Sequence, residues 1–274
     1  MKLRWLLAGA LGLTVVTVAA TLHDREPSRA EYCVADVEGT RAQIDLEQAR
    51  WTSLMAAMAQ NRGLPPRATT IAIATAYQES RIHNIDYGDR DSIGLFQQRP
   101  SQGWGTVEEI LQPPYSIGKF YDGLVEIPDY TTLEITVAAQ AVQRSAFPRA
   151  YAQHEPASRS LASSLRGYSP AAFTCQLNES GVGSATAVLA DVNAAFGDLG
   201  GAVTGDEVVT RFTGPPEDTR IRGWALAHYA VANASHLGIT SVSFDGRRWS
   251  VADSPEGWTS SPDAAADTVV IRTR

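Results

Sequence analysis

The chain has 274 residues, of which 44% are hydrophobic, enough for a buried core in one large or two ordinary domains. Its formal net charge is −7, from 23 basic and 30 acidic residues, with no Lys/Arg block. That balance argues against phosphate-tracking nucleic-acid binding as the main task, so no nucleic-acid partner is expected.

Lys2 and Arg4 precede an apolar run from about Trp5 to Leu22. Two readings fit residues 1–24: a single-pass membrane anchor, or a signal peptide with Val18 and Ala20 as the small residues before a cut. The lack of a clear break before Ala20 favours the anchor. Both readings export the rest of the chain, because the positive charges hold the N-terminus inside. The expected location is therefore the outer face of the cell membrane, with the N-terminal helix as the membrane contact, or the cell wall after secretion. The two cysteines, Cys33 and Cys175, lack metal-ligand spacing, and no metal site is expected. In an exported chain an even pair suggests a disulfide. Closing the loop between them is worth up to about 4–5 kcal/mol in the chain-entropy picture.

Residues 25–41 are polar and read as a tether. A nearly all-helical domain is expected over 42–168. Asp45 caps a first helix with Leu46, Trp51, Leu54, Met55 and Met58 along one stripe, closed by Gly63. "RATTIAIATAYQES" predicts a deeply buried second helix with Glu79 in its last turn. His83 to Gly105 is a loop, and a loop of that length inside a compact domain is usually functional. Thr106 with Glu109 predicts a capping box opening a short helix that Pro113 ends. "YSIGKFYDGLVEI" follows as a helix. Thr131 with Glu134 repeats the capping signature before "ITVAAQAVQRSAF", and "RAYAQHEPASRSLASSL" completes the set. Residues 169–186 read as a linker. A small α+β domain is expected over 187–274, with helices in "TAVLADVNAAFGD" and "DTRIRGWALAHYAVANASHLG", a hairpin turning at Asp245-Gly246 and a terminal strand.

Glu79 is the candidate catalytic group. A carboxyl at the end of an apolar helix is partly desolvated, which raises its pKa toward the working pH. Such an acid can protonate a glycosidic oxygen. In the loop that follows, Gly94 lets backbone approach a ligand, Gln97 and Gln98 offer amides, and Tyr87, Phe96 and Trp104 offer rings for sugar faces. Asp89 and Asp91 lie ten and twelve positions after Glu79. Asp91 is the candidate second carboxylate, the base an inverting hydrolase would need. The competing reading makes both turn residues that pin the loop.

"YQES" followed by "GLFQQ" resembles the soluble lytic transglycosylase and goose-type lysozyme superfamily, which shows a Glu-Ser pair closing a helix and then Gly-Leu-(Met/Phe)-Gln. The match covers about 42–168 and is similar to an exported actinobacterial subgroup carrying "DYGDRDSIGLFQQRPSQGWGT". The resemblance implies a lysozyme-like helical fold, peptidoglycan glycan strands as partner, and no cofactor. It makes Glu79 the general acid that later takes a proton from a C6 hydroxyl. Ser80 would position the helix end or the substrate, and Gly94, Leu95 and Gln97 would line the cleft. The family often carries Ala-Tyr-Asn-Ala-Gly on a later helix; here that place reads "AAQAVQRSAFP", with Gln143 standing in for the Asn and no tyrosine. The expectation is a peptidoglycan glycosidase, either lytic transglycosylase or muramidase, with a non-catalytic glycan-binding or scaffold protein as the alternative. The C-terminal unit weakly resembles a zinc D-Ala-D-Ala carboxypeptidase-like domain that has lost its ligands. His228 and His236, eight apart on one helix, do not have zinc spacing.

Overall fold

Strands frame the helices at both ends of the chain. The computed structural model describes residues 30–144 and 149–274. β1 (Tyr32–Val37) and β2 (Thr40–Ile44) form an antiparallel hairpin turning at Glu38 and Gly39, both at positive φ. α1 (Leu46–Asn61) starts at Asp45, whose side chain accepts from the Gln48 amide at 2.9 Å while Gln48 returns a bond to the Asp45 N–H. α2 (Pro66–Ser80) begins with proline at its first turn, where a missing N–H costs nothing. α3 (Val107–Ile110), α4 (Pro113–Val125), α5 (Ile135–Gln143) and α6 (Glu155–Leu165) surround it, and β3 (Phe173–Gln176) returns to pair with β1.

The second half opens with α7 (Ala185–Phe196), followed by β4 (Ala202–Thr204), β5 (Glu207–Arg211), α8 (Pro216–Ala232) and α9 (Ala234–Leu237). β6 (Ile239–Phe244) and β7 (Arg247–Ser250) turn at Asp245-Gly246, and β8 (Thr259–Ser260) and β9 (Thr268–Thr273) complete the chain. The sheets are antiparallel, in the orders β2-β1-β3 and β4-β5-β9-β6-β7-β8.

This architecture overturns the expected mainly α lysozyme-like domain followed by a small α+β domain. The described residues are mixed α/β, 46% helix and 18% strand, with a large C-terminal sheet. The residues read as a tether hold β1 and the start of β2, and those read as a linker hold β3. The physical reason is that β1 and β3 have no stability as local segments. They are short, and their ladder joins residues far apart in sequence, a pairing that leaves no local period. β4, β5 and β8 were likewise not anticipated. α5 also departs from expectation: Glu134, not Thr131, is its N-cap, and it ends at Gln143. The expected membrane anchor or signal helix over 1–24 lies outside the described residues; among the described residues no helix is long and apolar enough to cross a membrane.

One hydrophobic core runs through both halves, from Ala49 and Ile71 to Trp224 and Val269. Polar bonds stitch the same seam. Asn233 donates to Ser53 Oγ at 3.0 Å, Trp249 to the Cys175 carbonyl at 3.1 Å, and Trp258 to the Phe173 carbonyl at 2.8 Å. The Cys33–Cys175 disulfide joins directly opposed residues of β1 and β3 and is fully buried. Replacing both cysteines with alanine is expected to lower stability by about 2–5 kcal/mol, read by urea unfolding under non-reducing conditions.

His228 of α8 is completely buried at this seam, among the rings of Trp224, Trp258 and Phe173. Its Nδ1 bonds the Ser164 carbonyl of α6 at 2.7 Å, so that nitrogen carries a proton. Burial pushes its pKa down to about 4 from the ordinary 6.5. The unfolded chain therefore takes up a proton that the folded chain refuses. The stability due to His228 is complete above about pH 6.5 and falls by about 3 kcal/mol as pH drops to about 4. The slope of unfolding free energy against pH across that window should flatten in His228→Leu; an unchanged slope would place the acid sensitivity elsewhere.

Candidate active site

α2 is buried from Ala68 to Ala76, and Tyr77, Gln78 and Glu79 in its last turns are half-buried. Arg81 and Ile82, at φ +56° and +62°, then end the helix. A β-branched residue in the left-handed region is strained by about 1–3 kcal/mol and persists where its surroundings hold it. Here Ile82 is fully buried, its N–H bonds the Ala76 carbonyl, and Gln48 of α1 donates to the Arg81 carbonyl at 2.7 Å. That abrupt exit leaves Glu79 half-buried at the rim.

Tyr151, fully buried just ahead of α6, donates its hydroxyl to Glu79 Oε1 at 2.6 Å. The side chain of Gln143, the last residue of α5, acts on the same carboxyl and favours its charged form. Burial raises the Glu79 pKa above the ordinary carboxylate value, and the bonds from Tyr151 and Gln143 pull the other way without cancelling it. On the two residues that precede Glu79 in α2, His154 stacks on Tyr77 at 4.7 Å and bonds Gln78 Oε1 at 3.0 Å.

The turn "GLFQ" docks on the same place. Ile93 and Gln98 exchange backbone bonds at 3.0 Å and close it as a miniature hairpin. Ser80 donates to the Leu95 carbonyl at 2.8 Å, and Gln143 to the Phe96 carbonyl at 2.7 Å. Glu79 is thus framed by α2, α5, the turn and Tyr151. Gly94 sits at φ +75°, and a Cβ there would come within 3.1 Å of the Ile110 carbonyl oxygen. The glycine is required by the turn itself, not by a ligand's approach.

Several expected site residues take other duties. Leu95 and Phe96 are fully buried, Phe96 stacking on Phe120 at 4.4 Å, so their side chains pack the core. Gln98 is also buried and donates to the Ser116 carbonyl at 3.1 Å. Gln97 ties the loop to the Tyr87 and Gly94 carbonyls. Ser80 holds the turn instead of facing open space. Tyr87 is 69% exposed, and Trp104 lies half-buried against the core. Asp91 accepts from Arg99 Nε at 2.7 Å and from the Ser101 N–H at 2.8 Å. Ser101 and Arg99 hold its carboxyl well below the usual range. These bonds make Asp91 a clamp on the loop. Asp89 is almost fully exposed, 4.0 Å from Arg90.

Tyr151 is the residue that sequence reasoning missed. The Ala150-Tyr151 pair was the available signal. Ser145–Pro148, between Gln143 and Tyr151, lie outside the described residues. A groove of about 810 Å³ opens at the opposite end of α2, lined by Arg67, Thr70, Glu155 and Arg159, and does not include Glu79. Within it Arg67 donates to the Leu133 carbonyl, and Arg159 pairs with Glu155. Ser80→Ala removes the donor to a buried carbonyl and should cost about 1–3 kcal/mol. It should also speed amide exchange at Gly94–Gln98 more than in α1.

The comparisons bear on the other half of the molecule. A family described as "VldE, C-terminal domain" matches residues 205–270, which span β5, α8, α9, β6, β7, β8 and the start of β9. No curated protein matches the chain. The chain's C-terminal sheet is therefore similar to that family's domain, and the matched region contains none of the groups around Glu79.

Proposed function

We propose that this protein is an exported glycosidase acting on the MurNAc–GlcNAc linkage of peptidoglycan, with Glu79 as general acid and base. The observation that carries the reading is the half-buried Glu79 carboxyl, raised in pKa by burial and oriented by the 2.6 Å bond from Tyr151. The resemblance of "YQES" and "GLFQQ" to lytic transglycosylases and goose-type lysozymes supplies the substrate class. Export rests on the charged and apolar N-terminal run; the buried disulfide fits an oxidising compartment outside the cytoplasm. Attachment to the membrane or release to the wall follows from whether that run is cut.

The chemistry needs one carboxyl group. Protonated Glu79 donates its proton to the glycosidic oxygen as the bond from that oxygen to the MurNAc anomeric carbon breaks. The carboxylate left behind stabilises the oxocarbenium-like centre. It then takes the proton of the MurNAc C6 hydroxyl, whose oxygen bonds to the anomeric carbon. The products are a 1,6-anhydro ring and a free GlcNAc end, and no water is consumed. With Asp91 engaged as a clamp, this ring closure suits the site better than inverting hydrolysis, which needs a base for water.

A second reading, a glycan-binding protein without turnover, draws on the placement of Glu79 outside the large groove. Zymography on purified peptidoglycan with wild type and Glu79→Gln separates the two. Clearing by wild type alone, with anhydro-sugar ends in the digest, is expected; sedimentation with intact glycan by both proteins would favour binding. Tyr151→Phe removes a bond that stabilises the Glu79 carboxylate, so the Glu79 pKa rises. Because the acid must be protonated, the alkaline limb of the pH–rate profile should move to higher pH in that variant.

A further inference from the structure

A different groove, of about 400 Å³, lies between the end of α1, the segment after α6 and the first turns of α8. Its base carries Arg166, which is 6% exposed. Arg166 donates to Thr69 Oγ1 at 3.1 Å and to the Leu64 carbonyl at 2.9 Å, and its buried Nε has no partner among the described residues. Both acceptors are neutral. No ion pair among the described residues includes Arg166. A buried guanidinium is ordinarily matched by a carboxylate, since an unmatched charge away from water is costly.

Arg222 of α8 lines the same groove. It lies over the Phe212 ring at 4.8 Å and likewise has no ion pair among the described residues. Among the described residues no Asp or Glu lines the groove, although the protein carries a net charge of −7. The side chains of Gln60 and Asn61 add polar groups at one wall, and Phe196 and Leu199 make another wall apolar.

We infer that this groove binds an oxyanion, a carboxylate or a phosphate, carried by a small ligand with an apolar part. The oxyanion supplies the counter-charge that Arg166 and Arg222 lack, and a planar guanidinium suits either anion. The apolar part lies against Phe196 and Leu199. This site is separate from Glu79 and does not depend on the glycosidase reading.

Isothermal titration calorimetry of the full chain at fixed ionic strength tests it with N-acetyl-leucine, phenyl phosphate and the uncharged N-acetyl-leucinamide. The expected result is saturable binding of at least one charged probe, none of the amide, and roughly tenfold or greater weakening in Arg222→Glu. Which charged probe binds identifies the anion. Arg222→Gln, expected to weaken binding in the same direction, guards against misfolding of the charge-reversed variant. Absence of saturable heat from both charged probes, equal binding of the amide, or wild-type affinity in both variants overturns the inference.

Discussion

Burial of α2 is the constraint from which the rest follows. Its small and β-branched residues from Ala68 to Ala76 let α1, α4, α5 and α6 close around it. Its abrupt left-handed end at Arg81 and Ile82 then leaves its C-terminal turn half-buried at the rim. Glu79 sits in that turn. Its partial desolvation is a consequence of how deep the helix lies, and the raised pKa is a consequence of the desolvation. A longer exposed stretch of α2 would leave an ordinary solvated carboxylate.

The loop after α2 serves this geometry more than it serves a ligand directly. Ser80 and Gln143 each hold a carbonyl of the "GLFQ" turn, so the helix that carries the acid and the helix that carries its amide neighbour grip the same four residues. Asp91, clamped to Arg99 and Ser101, fixes the next segment. Motif residues can therefore be tightly specified while having their side chains buried, as Leu95 and Phe96 are. Their specificity is for the turn that frames the site.

The second half of the chain is not an appendage on a flexible link. α8 packs against α1, α6 and β3, His228 bonds across to Ser164, and tryptophans 249 and 258 bond carbonyls of β3. The Cys33–Cys175 bridge fastens the sheet on which they rest. One consequence of this shared core is a seam lined by groups from both halves, with Arg166 contributed by one and Arg222 by the other.

The sequence by itself determined the helices with strong local signals. Asp45 and Gln48 cap α1, the proline-led alanine-rich run makes α2, Thr106 and Glu109 cap α3, and Asp245-Gly246 turns the last hairpin. It also singled out Glu79, because a lone acid at the end of an apolar helix is visible in one dimension. Only the tertiary structure decided the three-stranded sheet, whose β1–β3 ladder joins residues separated by most of the helical half. Only it placed Tyr151 on Glu79, 72 positions away, and clamped Asp91 to Arg99. Local periodicity records what a segment must bury. Which distant side chain completes a hydrogen bond, or neutralises a charge, depends on how those segments pack, and no window of the sequence contains that information.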